Sequence, residues 1–117
     1  MIDDKALELG RLLGQSEEYK TLRRASDRLR EDPECQKLLA ELEQLGGEME
    51  RKARDGQEPA EEQVTRYDAA LRSVQGNPVY QQMVAAQANF EKLMTKVNER
   101  IFEGMKKGAA SPIITLG

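Results

Sequence analysis

Cys35 is the residue with the clearest chemical potential, because it is the only cysteine and a thiolate can act as a nucleophile or metal ligand. It follows Asp32-Pro33, which has the pattern of an N-cap and the first residue of a helix, and a helix N-terminus lowers the pKa of a thiol. A nucleophilic cysteine also needs a base beside it, and the sequence contains no histidine. Cys35 also falls in an apolar repeat, so the sequence favours a small buried side chain over a reactive thiol.

The carboxylates form no acid–base or metal pair that converges on one point. Glu41 with Glu43, and Glu61 with Glu62, are one or two residues apart, and such residues point to different faces of a helix. A single cysteine rules out an intramolecular disulfide and any all-cysteine metal site within one chain. Gly46-Gly47 follows no strand and is not followed directly by a lysine, so it is not a phosphate-binding loop. The sequence therefore predicts no catalytic, metal or cofactor site and no enzymatic activity.

A basic cluster suggests nucleic-acid binding as a hypothesis. Its members are Arg23, Arg24, Arg28 and Arg30, and acidic residues such as Asp27 interrupt it. The net charge of the chain is -3, whereas phosphate binding favours a basic surface. The pattern favours a solvated helix face with local ion pairs, and direct binding of RNA stays an alternative.

Apolar side chains recur three and four residues apart in three stretches, the spacing of a helix that packs one narrow face against other helices. We predict that these stripes form a hydrophobic core or an interface between subunits, two roles that the sequence does not distinguish. The residues assigned to this role are Leu38, Leu42, Leu45, Met49, Val64, Tyr67, Leu71, Val74, Met83, Phe90, Leu93, Val97 and Ile101.

Caps, prolines and glycines divide the chain into about five helices. Ser16 and Asp32 are predicted N-caps, Gly14 and Gly108 are predicted helix ends, and Asn77 is followed by a proline that starts the last helix. The predicted ranges are 3–13, a second helix after residue 16, 33–54, 58–75 and 78–107. The predicted fold is all-α, with long antiparallel helices forming a hairpin or bundle that associates into an oligomer.

We predict a single helical domain over residues 1–108 and a flexible tail over residues 109–117. The tail contains Ser111-Pro112 followed by a mostly apolar segment, and its docking on an exposed stripe is the alternative. Gly46-Gly47 lies inside the third helix. It is interpreted as a locally weak helix, with close approach by another backbone as the alternative.

The composition is typical of long, charged helices. The chain has 117 residues, 33% of them charged and 4% aromatic, and its mean hydropathy is -0.72. An elongated hairpin of this size buries less surface than a compact domain and gains from a partner. The acidic N-terminus is not a signal peptide, and no run approaches the ~20 apolar residues of a membrane span, so a cytoplasmic location is expected.

The capped helix starts and apolar faces occur in an order that resembles a known family. The stretches that carry the similarity are residues 6–13, Ser16-Glu17-Glu18-Tyr19 with Leu22, Asp32 with Leu38 and Leu39, Asn77-Pro78-Val79-Tyr80, and Phe90, Leu93, Val97 and Ile101. Their order resembles the YlbF/YmcA family of small helical bacterial proteins, also called the control-of-competence regulator family. The resemblance covers roughly residues 2–105.

The resemblance implies an all-α regulatory protein that associates with itself and with sister proteins of the family. Characterised relatives belong to a complex that adjusts the substrate choice of the membrane-anchored endoribonuclease Y. They thereby affect mRNA maturation, competence, sporulation and biofilm formation. Some relatives are associated with iron–sulfur clusters bound through cysteines. The tail of this chain has no cysteine and Cys35 lies in an apolar stripe, so no cluster is expected.

We therefore expect a non-enzymatic, oligomeric helical adaptor that acts through protein–protein contacts and needs no cofactor. The expected partners are other copies of the chain, in a dimer or tetramer, together with sister proteins and a ribonuclease. The alternatives are an RNA-binding helical protein and a chaperone-like hairpin that shields unfolded chains with exposed Met and Leu side chains.

Overall fold

The computed structural model describes residues 1–110, and over this range the chain forms five α-helices and no strand. The helices are α1 (Ile2–Gly14), α2 (Glu17–Glu31), α3 (Pro33–Arg54), α4 (Glu61–Gly76) and α5 (Pro78–Ala110). The predicted all-α class is confirmed, and α2, α3 and α5 begin where the caps indicate. The alternative in which the tail docks falls on residues 111–117, outside the described part of the chain.

The helices form one long hairpin. α2 and α3 make up one arm, α4 and α5 make up the other, and α3 packs on α4 while α2 packs on α5. Arg28 contacts Gln82 and Tyr19 contacts Phe90, and each pair lies at nearly equal sequence distances on either side of Gly56. The arms therefore run antiparallel. Gly56, at the tip, has a φ of +73°, a conformation that favours glycine.

The hairpin is elongated and its core is thin. The radius of gyration is 21.9 Å and the principal extents are 69 × 36 × 19 Å. A compact domain of this length has a radius of gyration of about 13 Å. The buried residues within the described range are Ala25, Cys35, Leu45, Ala70, Val74, Asn77 and Ala86. Most stripe side chains consequently have only one layer of neighbours.

Each arm is interrupted once, at a residue whose side chain caps the next helix. The Asp32 carboxylate accepts a hydrogen bond from the Cys35 N–H at 2.9 Å. The Asn77 Oδ1 accepts from the N–H groups of Val79 and Tyr80 at 2.9 and 3.1 Å. A proline follows each cap and suits the first helical position, where no N–H partner is needed. The predicted breaks between α2 and α3 and between α4 and α5 are thus confirmed.

A glutamine four residues after each cap completes the junction. Gln36 Nε2 donates to the carbonyl of Leu29 at 2.9 Å, and Gln81 Nε2 donates to the carbonyl of Gln75 at 2.8 Å. Both carbonyls lie in the last turn of a helix, where backbone acceptors lack partners in their own helix. The two junctions lie at nearly equal distances from Gly56, so both arms are interrupted at one level of the hairpin.

Ser16 joins α1 to α2. Its hydroxyl donates to the carbonyl of Leu13 at 2.6 Å and accepts from the N–H of Tyr19 at 3.1 Å, which confirms the predicted N-cap. Gly14 does not end α1 in a left-handed conformation. α1 still ends at Gly14, where the sequence places its end, and the following residue, Gln15, keeps its backbone in the right-handed helical region.

Two other helix boundaries differ from those predicted. α4 begins three residues later than expected, because Ala60 keeps an extended backbone and its N–H donates to Gln63 Oε1 at 3.0 Å. α5 continues through Gly108 to Ala110. A glycine stops a helix by adopting the left-handed conformation, and Gly108 has no positive φ.

Candidate protein interface

The predicted stripe residues differ widely in burial within a single chain. Leu45 and Val74 are buried, whereas Val64 and Ile101 are 37% and 46% exposed. Val64 lies in the first turn of α4, near the hairpin tip, and Ile101 lies beyond the part of α5 that α2 covers. These two residues are therefore not part of the core of one chain. The half-buried members are Leu38, Leu42, Met49, Tyr67, Leu71, Met83, Phe90, Leu93 and Val97.

The arms approach each other through small residues and aromatic rings. The ring centroids of Tyr19 and Phe90 lie 5.6 Å apart with their planes tilted by 55°, a favourable aromatic geometry. Ala25 in α2 and Ala86 in α5 are both buried. These four residues form part of the packed interface between α2 and α5.

The double glycine of α3 does not bring another backbone close, so that alternative interpretation is wrong. A Cβ on Gly46 would lie 3.4 Å from Cε2 of Tyr67, whereas a Cβ on Gly47 would meet nothing within 4 Å. The close approach is thus made by an aromatic side chain, not by a backbone. Gly47 has no such contact and leaves α3 locally weak.

Cys35 is placed as a buried side chain and not as a reactive thiol. It is 1% exposed. Burial raises the pKa of its thiol above the ordinary value, and the carboxylates of Asp32 and Glu34 raise it further. These effects favour the protonated form, the opposite of what a nucleophile or metal ligand needs. Over residues 1–110, no group of three His, Cys, Asp or Glu side chains is arranged to hold a metal ion.

The basic cluster of α2 is partly engaged with its neighbours. Arg28 donates to Gln82 Oε1 at 2.9 Å, which links α2 to α5, and Arg30 forms an ion pair with Asp27. The side chains of Arg30 and Asp27 are 69% and 50% exposed, and Arg28 and Gln82 are also exposed, so each pair contributes little stability. Within the cluster, the Arg30–Asp27 contact is an ion pair of the local kind that the sequence predicts, whereas Arg28 bonds to a neutral side chain of another helix.

The exposed apolar side chains are concentrated at the open end of the hairpin, opposite the tip. Seven of the nine large hydrophobic side chains found exposed among the described residues lie there, in or beside α1 and in the last third of α5. We call this set the terminal surface. It comprises Met1, Ile2, Leu7, Leu12, Ile101, Phe102 and Met105, which are between 46% and 98% exposed.

An open cleft separates α1 from α5 within this region. One wall is formed by Ile2, Ala6 and Leu9 of α1, and the other by Val97 and Ile101 of α5. α5 has 33 residues and α2 has 15, so they are about 50 and 22 Å long. α2 therefore leaves more than half of α5 without its cover, and α1 covers little of the remainder.

Of the seven residues of the terminal surface, Ile101 is the one for which the apolar periodicity predicts a role in the core or an interface. The missed residues were detectable from the lengths of the helices, because the apolar face of α5 continues after Val97 while the capped start of α2 lies at Ser16. An apolar face longer than its partner helix leaves side chains without neighbours. Among residues 1–110, no helix combines the length and the apolar content that crossing a bilayer requires.

Comparisons with known proteins connect this fold to bacterial regulators. Residues 2–106 match the family model described as control of competence regulator ComK, YlbF/YmcA. A UPF0342 protein of Bacillus licheniformis is 23% identical over 111 residues, covering 95% of each chain. UPF0342 proteins of Limosilactobacillus fermentum and Streptococcus pneumoniae are 27% and 28% identical. Those alignments cover 86% and 87% of this chain, and 83% and 91% of the relatives.

Proposed function

Because the chain belongs to the YlbF/YmcA family of competence regulators, we propose that it is a cytoplasmic, non-enzymatic adaptor that regulates by binding other proteins. Its partners are further copies of the chain, sister proteins of the family and a ribonuclease Y-type enzyme. By changing which transcripts that enzyme processes, the adaptor influences competence, sporulation and biofilm development.

The observation that carries the proposal is the terminal surface. A protein of this size that exposes a cluster of large apolar side chains typically uses them to bind another protein. The thin core adds to the argument, since many stripe residues are only half buried and a partner would cover them further. Binding is therefore the activity that the arrangement of side chains supports best.

The proposal assigns no reaction to the chain. The sequence contains no histidine, and its single thiol is buried with a raised pKa. A protonated, buried thiol without a histidine beside it is not the activated nucleophile with an adjacent base that covalent catalysis requires. The adaptor is proposed to alter the activity of an enzyme that it contacts.

A capture experiment tests the proposal in the native host. Met1 and Ala110, the first and last described residues, lie at or near the terminal surface, so an affinity tag belongs in the exposed turn between Gly56 and Gln57, at the opposite end of the hairpin. We expect mass spectrometry of the captured complex to identify sister family proteins and a ribonuclease. The transcript ends generated by that ribonuclease should change when the gene is deleted.

The matched variants are Phe102→Asp, on the terminal surface, and Val84→Asp, on the same helix but outside it. Both residues are exposed, at 61% and 47%, so neither change should unfold the chain. Capture should be lost for Phe102→Asp and retained for Val84→Asp. Unchanged transcript ends in the deletion strain, with no ribonuclease captured, would contradict the proposed role.

A further inference from the structure

We propose that the groove between α2 and α5 binds the phosphate backbone of a single-stranded nucleic acid. We call it the basic groove and define it by its four cations, Arg24 and Arg28 of α2 and Lys92 and Lys96 of α5. These residues lie outside the terminal surface. The inference therefore goes beyond the adaptor function and does not depend on it.

The charge of the chain is unevenly distributed along the hairpin. α2 and α5 together carry ten basic and seven acidic side chains. Residues 33–76, which form the half of the hairpin with the tip, carry ten acidic and six basic side chains. A polyanion responds to the local distribution of charge as well as to the total. The net charge of -3 therefore does not exclude a phosphate-binding surface on α2 and α5.

The basic groove is one continuous channel. Two hollows follow the contact between α2 and α5, and both are lined by Thr21, Ala86 and Asn89. Ala25 and Ala86 are buried at the bottom of the groove, where their small side chains let the helices approach closely. Packed helices lie about 8–10 Å apart, so the channel between them admits one nucleic-acid strand and not a duplex.

The cations follow the groove along its length. Arg28 is level with Gln82, to which it is hydrogen-bonded at 2.9 Å. Lys96 lies fourteen residues farther along α5, a distance of about 21 Å. Arg24 and Lys92 lie between these two ends, each about one helical turn from the other cation of its own helix. A row of four charges over this length suits about four nucleotides, a short site for a single-strand binder.

The four cations are available to phosphates. All four are exposed, and none takes part in an ion pair formed within residues 1–110. Arg24 donates to Thr21 Oγ1 at 3.4 Å and Arg28 donates to Gln82 Oε1 at 2.9 Å. Both acceptors are neutral, so these bonds orient the guanidinium groups in the groove without neutralising their charge.

The other side chains of the groove favour a nucleic acid over an acidic peptide. Phosphate and sugar groups are contacted by Arg and Lys together with Thr, Asn and Gln, and the groove supplies Thr21, Gln82 and Asn89. A protein partner typically inserts large apolar anchors into an apolar pocket. Among the described residues that line the groove, Leu93 is the single large apolar side chain.

No aromatic ring is present among these described lining residues to stack on a base. The contacts therefore go to the backbone, and we expect little dependence on nucleotide sequence.

Two carboxylates oppose binding at one end of the groove. Glu17 and Glu18 line the same hollow as Lys92 and Lys96. They repel phosphates and reduce the attraction of the nearby lysines. This arrangement provides a test of opposite sign, because removing the two carboxylates should strengthen binding.

The first experiment measures the binding of the full chain to a short, fluorescently labelled single-stranded RNA of mixed sequence by fluorescence anisotropy. Titrations are made at about 50 and about 200 mM salt. Four phosphate contacts predict a slope of about -3 for log affinity against log salt, which is a roughly 50-fold loss between these conditions. A DNA probe of the same sequence should bind within several-fold of the RNA, because its phosphates are the same.

The second experiment removes the cations in pairs, one pair from each helix. Arg24→Ala/Arg28→Ala and Lys92→Ala/Lys96→Ala should each weaken binding at about 50 mM salt by at least about tenfold. Each double substitution should also halve the salt slope, because two of four phosphate contacts are lost. Circular dichroism and thermal unfolding should match the wild type, since all four side chains are exposed.

The matched control removes the same charge from elsewhere on the hairpin. Arg66 and Arg72 are exposed in α4, and Arg66→Ala/Arg72→Ala should change the affinity by less than about twofold. Glu17→Gln/Glu18→Gln should instead bind RNA several-fold more tightly than the wild type. A purely structural role of the α2–α5 face predicts no such gain.

Three results overturn the inference. The first is no binding of RNA or DNA at about 50 mM salt. The second is equal sensitivity to the α4 control and to the groove variants, because binding then follows the total charge. The third is an acidic peptide of matched charge that displaces the RNA probe as effectively as unlabelled RNA does. The capture experiment with Phe102→Asp tests the adaptor function separately, since Phe102 does not line the groove.

Discussion

The middle of the hairpin and its open end have similar apolar sequence patterns, but their apolar side chains differ in burial. In the middle, Cys35 and Val74 are each 1% exposed and the capping side chain of Asn77 is buried with them. At the open end, Ile2 is 85% exposed and Phe102 is 61% exposed. Apolar residues three and four positions apart occur in both regions. The difference lies in whether the same chain supplies a facing helix, and the hydrophobic pattern of one helix does not contain that information.

Truncating one leucine in each region should separate them most clearly. Leu45 is 7% exposed and Leu7 is 60% exposed. We expect Leu45→Ala to lower the free energy of unfolding by about 2–5 kcal/mol through lost burial and a cavity. Leu7→Ala should change it by less than about 0.5 kcal/mol in dilute samples, measured by urea unfolding.

Repeating the unfolding at high protein concentration sharpens this comparison. If Leu7 contributes to a dimer, wild-type stability rises with concentration and the effect of Leu7→Ala grows with it. The effect of Leu45→Ala should stay constant. Equal losses for the two leucines in dilute samples would contradict the division into a core and an exposed end.

Removing a helix cap should have a smaller effect than truncating Leu45. In the middle of the hairpin it should lower the stability of the whole chain, whereas at the open end it should destabilise one helix. Asn77→Ala leaves the N–H groups of Val79 and Tyr80 without their acceptor, and we expect a loss of about 1–2 kcal/mol. Asn77→Asp keeps the acceptor and serves as the control. Ser16→Ala should instead accelerate amide hydrogen exchange mainly in α1. Uniform acceleration across all helices by Ser16→Ala would show that α1 is not a separate unit.

Replacing a glycine that has open space around its Cα with alanine should stabilise the whole chain in the middle of the hairpin and only the last turns of α5 at the open end. An added Cβ at Gly47 or Gly104 would meet nothing within 4 Å, so alanine gains helix propensity without a clash. We expect Gly47→Ala to raise the free energy of unfolding by about 0.5–1 kcal/mol. Gly104→Ala should mainly slow amide exchange in the last turns of α5. Gly46→Ala is the control, since its Cβ would lie 3.4 Å from Tyr67 and the gain should shrink.

The buried thiol predicts an effect confined to alkaline pH. Burial and the neighbouring carboxylates keep the pKa of Cys35 above 9.0, so the folded chain retains a proton that the unfolded chain releases. Stability should therefore fall as pH rises beyond 9.0. Cys35→Ala should be less stable at neutral pH but should lack this component of the slope in urea unfolding. Parallel slopes for the two proteins would contradict the assignment, as would rapid labelling of the native thiol.

Interactions between residues that are close in sequence were sufficient to predict most of the fold. Ser16, Asp32 and Asn77 each combine a side-chain acceptor with a following helix, and each accepts from the N–H of the residue three positions later. Glycine was the less dependable signal, because Gly108 continues a helix without adopting the left-handed conformation. Helix starts with a strong polar cap could thus be predicted, whereas the start at Ala60 depends on a side chain that reaches backwards from Gln63.

The candidate interface was less accessible from the sequence. Ile101 belongs to the same apolar stripe as Val97, and its exposure results from where α2 ends on the opposite arm. Leu7 and Leu12 lie off a single stripe, so periodicity gave them no role. Their grouping with Phe102 depends on the folding of the hairpin, which brings residues from the two ends of the chain together.

The slender shape has a practical consequence for measurements of size. A particle with a radius of gyration of 21.9 Å experiences more hydrodynamic drag than a globular protein of the same 13.2 kDa mass. On a gel-filtration column calibrated with spherical standards, even one isolated chain elutes early and mimics a heavier species. Elution volume therefore overstates the molecular weight of this protein, and light scattering coupled to the column returns the correct value.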